Sequence, residues 1–387
     1  MNIAHQKKYL VFVDFHGALD SYTGIPLCTK NDVIALAKAG CTLTLWIRGT
    51  DEKNKVQEWV KREERITNPH QIHILTGRPK NSLLWLIQLI RFPLNLGNFD
   101  FYYFSLFPGV RFRGLGKRIL RVHDPYSKVP NRLVTFFEEK TKLKLRFAKL
   151  LRLDAFLSVL DTANLVFNSQ FTATRVLQIY QPRQFSSVIY NLVQFHSSIL
   201  EPKTKDNSFY PYFIFVGGQR QRKDPVTIIN IWASGVLCQK VNFIVVGSVP
   251  EHLLSREAIH ARNEGKLRFL ENIDGDDLRI LIENSVASIF YSFGEGWGQP
   301  IAESLACGKR VVCNDLEVFR EVANGWANYF PTYRPREIEP ILLDLLSRAG
   351  EVNSETSKIR AFSKRYQVDS LSKAWLDMFD NVHRSLA

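Results

Sequence analysis

The chain has 387 residues, 23% charged and 45% hydrophobic, which excludes a disordered chain and leaves room for two domains. Its net charge of +13 is lopsided: residues 1–200 carry 28 Lys+Arg against 14 Asp+Glu, and residues 201–387 carry 23 against 24. Five cysteines with no C-x-x-C pair exclude a disulfide framework and a structural zinc site, and fit a reducing compartment. The most apolar stretch, residues 82–91, is broken by Gln88 and Arg91 and falls short of the ~20 residues that cross a bilayer.

In chain order, short apolar runs alternate with helical patterns, the mark of a parallel α/β architecture. Strands are expected at Tyr9–Val13, Thr42–Trp46, Gln71–Leu75, Asp100–Tyr103, Ile119–Val122, Leu165–Asn168 and Ser187–Tyr190. Helices fit at Asn31–Ala39, Glu52–Glu64 and Phe171–Ile179. The run Tyr9–Val13 stops at Asp14, too short for a signal-peptide core. The polar, proline-flanked stretch Leu200–Pro211 reads as a linker. The pattern then restarts, with strands at Tyr212–Val216, Asn242–Val246, Leu267–Leu270, Val286–Tyr291 and Arg310–Cys313, and helices at Asp277–Asn284 and Pro300–Cys307. A last helical segment covers Tyr366–Val382. The expected domains are residues 1–200, rejoined by a C-terminal helix at about 366–387, and residues 208–365.

The richest segment is Ser288–Cys313. A strand enters a loop holding Glu295, Gly296, Trp297 and Gly298, and Pro300 then opens a helix carrying Glu303. Glycine lets a backbone approach a ligand closely, and the free amides of a helix start favour an anion. Tyr212–Pro225 is a second strand ending in Gly217-Gly218, followed by Arg220, Arg222 and Lys223. Cations at a departing diphosphate favour the transition state over the ground state. Asp274-Gly-Asp276 spells D-x-D, but it stands at a helix start, where aspartate caps; a cap, not a metal site, is expected. Ser169 reads as a cap for the same reason.

Together these strings resemble the retaining GT-B glycosyltransferases of family 4. The resemblance rests on Glu295 and Glu303 as the E-x7-E pair and on Arg222-Lys223 in the loop after the Gly-Gly strand. It is specific from about Phe213 to Val312 and looser before that. It implies an α/β, GT-B fold, two Rossmann-like domains facing each other across a cleft. It further implies retaining transfer of a sugar from a nucleoside diphosphate sugar to a hydroxyl of a glycan or lipid-linked saccharide, as in cell-surface polysaccharide synthesis. Glu295 would contact donor-sugar hydroxyls, the amides around Gly296, Trp297 and Gly298 the sugar and diphosphate, and Arg222 and Lys223 the diphosphate. Glu303 would accept from the ribose.

The same resemblance places His123, in Ile119–Pro125, beside the donor sugar, which makes His123 and Glu295 the candidate catalytic residues. Gly24, in the stretch Ser21–Pro26, stands where relatives carry a glycine-rich turn and is assigned to the donor. No metal and no cofactor beyond the sugar nucleotide is implied. An epimerase-like GT-B enzyme and a non-catalytic sugar-nucleotide binder are the alternatives.

The excess cations gather at Arg111, Arg113, Lys117, Arg118 and Arg121, and at Lys140, Lys142, Lys144, Arg146, Lys149 and Arg152. Such a surface attracts anionic head groups at about 1 kcal/mol per cation. With no nucleic-acid module signature, the expected partner is an anionic membrane and not a nucleic acid. The expected location is the cytoplasm, in solution or peripheral on the inner face of the membrane.

Overall fold

A computed structural model describes residues 9–19, 24–77, 94–95, 97–105, 112–113, 116–124, 163–179, 184–193, 211–219, 222–348 and 355–384. The chain divides into two compact units, Met1–Leu192 with Val368–Ala387, and Val193–Gln367.

The first unit is built on a parallel sheet of β1 (Leu10–Asp14), β2 (Thr42–Trp46), β3 (Ile72–Leu75), β5 (Phe101–Phe104), β7 (Lys117–Val122), β8 (Ala163–Phe167) and β9 (Ser186–Val188). The order across it is β3-β2-β1-β5-β7-β8-β9. Two further short strands, β4 (Leu94–Asn95) and β6 (Phe112–Arg113), pair only with each other. All four residues of β5, Phe-Tyr-Tyr-Phe, are buried, as expected of a strand covered on both faces.

One face is covered partly by the end of the chain. The helix Val368–Arg384 buries Leu371, Trp375, Met378, Phe379 and Val382, a spacing that keeps one stripe inward. Phe379 stacks on Phe101 at 4.0 Å, Trp375 meets Tyr103 edge-on at 5.7 Å, and Ser372 Oγ donates to the Ala35 carbonyl at 2.9 Å. Each buried aromatic or aliphatic side chain contributes about 1.5–3 kcal/mol, so this helix is integral to the first unit's core.

The second unit holds β10 (Tyr212–Val216), β11 (Asn242–Val246), β12 (Leu267–Leu270), β13 (Ala287–Phe290), β14 (Val311–Asn314) and β15 (Ala327–Phe330). Their order is β12-β11-β10-β13-β14-β15, all parallel. Counted along the chain this is the Rossmann order 3-2-1-4-5-6, with its topological switch point between β10 and β13. Ligands of such sheets bind outside the carboxyl ends of the strands there.

The local rules hold at the capped helices. Asp274 accepts from the Asp277 amide at 2.8 Å and Ser169 from the Thr172 amide at 2.9 Å, so both residues cap helices. The sequence stops short on one helix: it begins at Gly24, not Asn31, because Pro26 is tolerated in a first turn. The helix Pro225–Ser234 escaped the pattern altogether. It buries Ile228, Ile229, Ile231 and Trp232, an apolar surface too broad to show one amphipathic stripe. No helix among the described residues is long and apolar enough to cross a membrane.

Candidate active site

The switch point of the second unit joins the two motif loops directly. Lys223 and Ser292 form an antiparallel bridge, the Phe293 amide donates to the Arg222 carbonyl at 2.9 Å, and the Asp224 amide donates to the Tyr291 carbonyl at 3.3 Å. The cationic loop after β10 is thereby clamped to the glutamate loop after β13. Asp224 then caps the next helix through the Thr227 amide at 3.2 Å. Behind the cations, an added Cβ at Gly218 would lie 2.7 Å from the Ser248 carbonyl oxygen, so only glycine lets the loops after β10 and β11 touch there.

A buried pair of side chains that sequence reasoning missed supports the clamp. Asn314, at the end of β14, accepts from the Ser292 amide at 3.0 Å and donates to the Ser292 carbonyl at 2.9 Å. Asn314 also donates to Thr332 Oγ1 at 2.9 Å. Ser292 Oγ donates to the Arg222 carbonyl at 3.2 Å and reaches Glu295 Oε1 at 3.4 Å. The available signal was an asparagine closing an otherwise apolar strand, Val311-Val-Cys-Asn314.

Glu295 is half-buried on this loop, and Gly296, Trp297 and Gly298 are buried. Trp297 packs edge-on against Tyr366 at 5.0 Å, which fixes the loop to the last turn of the second unit. Gly298 has φ +107° and starts the helix Gln299–Ala306; an added Cβ would meet the Phe319 ring at 3.3 Å. That left-handed conformation lets the chain turn straight from loop to helix.

Glu303, on that helix, accepts from Gln299 Nε2 at 3.1 Å. Burial pushes its pKa up to about 7, with Gln299 and the Lys223 charge opposing the rise. The Lys223 charge acts on Glu303, as expected of a cationic loop lying near the start of this helix. Lys223 also lies 5.0 Å over the Phe290 ring. The structure thus brings together Arg222, Lys223, Glu295, Gly296, Trp297, Gly298 and Glu303. Arg220 lies outside the described residues.

In the first unit, His123 sits just past the end of β7, and Asn168 Nδ2 donates to its carbonyl at 2.7 Å. Both ring nitrogens are covered and make no hydrogen bond among the described residues. Burial, reinforced by Arg121, pushes the imidazole down to about 3. Gly24 is the first residue of the helix that follows β1, while Ser21–Thr23 before it lie outside the described residues. The expected basic surface needs one correction: Arg121 has a fully buried side chain and pairs internally with Asp32, so it adds nothing to a surface field. Arg111, the Lys140–Arg152 cluster and most of the expected linker lie outside the described residues.

Two Rossmann-like units of this topology define a GT-B fold. In line with that, the structure superposes on Anabaena Alr3699/HepE, solved in complex with UDP, with a TM-score of 0.60 at 16% identity over 96% of this chain and all of that one. Residues 198–358 match the model of the family Glycosyl transferases group 1. The Salmonella typhimurium O-antigen chain mannosyltransferase RfbU is 29% identical over 192 residues, 48% of this chain and 50% of that protein. The Escherichia coli serotype-specific mannosyltransferase WbdA is 31% identical over 144 residues, 35% of this chain and 17% of that protein. The matched stretch therefore spans half or less of these curated relatives.

Proposed function

We propose that the protein is a retaining glycosyltransferase that moves a mannosyl-type hexose from a nucleoside diphosphate sugar to a hydroxyl of a growing surface polysaccharide or lipid-linked saccharide. The observation that carries this is the Lys223–Ser292 bridge. It holds two cations and the Glu295 loop against each other at the carboxyl ends of β10 and β13, where a Rossmann sheet binds its nucleotide. The mannosyl assignment draws on the relatives RfbU and WbdA.

Arg222 and Lys223 neutralise the diphosphate as the glycosidic bond breaks, which makes a metal unnecessary. Glu295 accepts from sugar hydroxyls and Glu303 from the ribose; a carboxylate takes two such hydrogen bonds at once. His123 supplies a further hydrogen bond to the transferred sugar, and the amide of Gly24 assists at the diphosphate. The leaving phosphate oxygen takes the acceptor proton, so the second glutamate is free to bind. The excess of cations in residues 1–200 favours an anionic membrane or glycan on the acceptor side.

The test incubates the purified full chain with UDP-, GDP-, ADP- and dTDP-hexoses, an undecaprenyl-linked saccharide acceptor and EDTA. One nucleoside diphosphate mannose should be consumed, with release of nucleoside diphosphate and an elongated acceptor. No consumption of any donor, or consumption abolished by EDTA, contradicts the proposal.

A further inference from the structure

The first unit's sheet has a switch point of its own. In the order β3-β2-β1-β5-β7-β8-β9 the chain runs outward one way from β1 to β3 and the other way from β5 to β9. The crevice for a ligand therefore lies outside the carboxyl ends of β1 and β5. His16 stands there, two residues past the end of β1. The turn that carries it is fixed from several directions. The Phe15 amide donates to the Trp46 carbonyl at 3.1 Å, the Phe15 ring stacks on Trp59 at 5.3 Å, and the Ala18 amide donates to the Phe15 carbonyl at 3.1 Å. Gly17, at φ +71°, takes the left-handed conformation that closes the turn.

Glu52, in the first turn of the helix Thr50–Arg62, reaches back to this turn. Its Oε1 accepts from the Gly17 amide and its Oε2 from the Arg48 amide, both at 2.8 Å, which laces the loops after β1 and β2 together. His16 Nδ1 lies 3.0 Å from each of the two oxygens. Burial by itself raises the pKa of Glu52, but the amides of Arg48 and Gly17 and the His16 ring outweigh it and hold the carboxyl below the ordinary glutamate range. A carboxylate only accepts, so His16 Nδ1 is the donor, and in the uncharged ring Nε2 is left as a bare acceptor. A carboxylate that fixes the tautomer and direction of an imidazole in this way is a recurring device of functional sites.

An ion pair that merely closes a loop is the ordinary explanation, and such pairs near the surface contribute only about 0–1 kcal/mol. Two observations go beyond it. The lacing of the loops is complete with the two amides, so the imidazole is a third partner that this task does not require. The pair is also neither solvated nor sealed, with side chains 18% and 20% exposed. With Nδ1 turned to Glu52, Nε2 makes no hydrogen bond among the described residues. A saccharide hydroxyl is a donor that suits this nitrogen, whereas a phosphate oxygen finds no donor at a bare Nε2.

We infer that the first unit carries a saccharide-hydroxyl subsite at the carboxyl ends of β1 and β5, in which His16 Nε2 accepts from a hydroxyl of the acceptor and Glu52 is the positioning residue that fixes the tautomer. The saccharide rests on the proposed function; the tautomer set by Glu52 does not. His16 binds without moving a proton, so the leaving phosphate keeps that task.

The test uses the full chain with 15N-labelled histidine, His16→Phe to assign the resonance, and Glu52→Gln and His16→Gln. The uncharged His16 ring of the parent should carry its proton on Nδ1, read from long-range proton–nitrogen correlations. A proton on Nε2 overturns the inference, whatever the enzyme's activity. The carboxamide of Glu52→Gln can donate to Nδ1, so that variant should move the proton to Nε2. In transfer assays with the undecaprenyl-linked saccharide, His16→Phe and Glu52→Gln should each raise acceptor KM by about three- to tenfold, the worth of one hydrogen bond, with donor KM within about twofold. The double variant should be no worse than either single one, since Glu52 acts through His16. His16→Gln, whose carboxamide oxygen can still accept, should recover part of the loss. An unchanged acceptor KM in His16→Phe, or a rise confined to donor KM, overturns the subsite, and additive losses in the double variant overturn the positioning role. If Glu52→Gln does not fold, the parent's tautomer and His16→Phe decide the two halves. No transfer by the parent would refute the proposed function and the saccharide with it, and the tautomer would still decide the role of Glu52.

Discussion

Lys223 and Ser292, sixty-nine positions apart, lie opposite each other in an antiparallel bridge between the loops that follow the parallel strands β10 and β13. This bridge turns two separate motif loops into one rigid site. A cation fixed by backbone needs no reorganisation as charge develops on a leaving group, which is where electrostatic catalysis gains most.

Lys223→Ala should therefore lower kcat by about 100- to 1000-fold, the loss typical of one preorganised charge-stabilising group. The fold should survive, since Lys223 is only partly buried and contributes to the bridge through its backbone. Steady-state transfer assays with circular dichroism as a control check this.

Asn314→Ala tests the support under the clamp. It strips partners from the Ser292 amide and carbonyl in a fully buried setting, so unfolding free energy should fall by about 2–4 kcal/mol. Urea titration reads the stability change. Activity in the still-folded fraction should fall as well, because the Glu295 loop loses its anchor.

Gly298→Ala forces a side chain into φ +107° and against the Phe319 ring. The expected cost is about 1–3 kcal/mol, read as a lower Tm. Donor KM should rise with it, since the loop and helix diverge at this residue.

Glu303 gives stability a pH signature. Folded Glu303 keeps its proton up to about pH 7, whereas an unfolded glutamate releases it near ~4.3. Between those values the native state binds more protons, so stability falls as pH rises and the loss is complete above the folded pKa. Glu303→Gln removes that loss. It should stabilise the apo protein by about 2–3 kcal/mol at pH 8 and by far less at pH 5, measured by denaturant titration at both.

In the second unit the strands at Tyr212–Val216, Asn242–Val246 and Leu267–Leu270 match their expected bounds, whereas the strand Ala327–Phe330 and the helices Pro225–Ser234, Arg256–Asn263, Glu317–Ala323 and Ile338–Ser347 were not read from the sequence. The reason is physical. Its strands are short apolar runs punctuated by glycine and polar turns, and the site residues sit on those turns. What escaped were contacts between distant segments. Asn314 looks like any strand-ending polar residue until it closes on Ser292, and the Lys223–Ser292 bridge has no local sequence signal. Arg121 misled in the other direction: within a run of cations it reads as surface charge, and only the fold shows Asp32 beneath it.

Anomeric NMR of the product from one nucleoside diphosphate mannose and a saccharide acceptor is the most direct measurement. Wild type should yield a new glycoside with the donor's anomeric configuration, and Lys223→Ala and Glu295→Gln should yield almost none. An inverted linkage, or near-normal transfer by both variants, would contradict a retaining transferase whose donor is held at the clamp of β10 and β13.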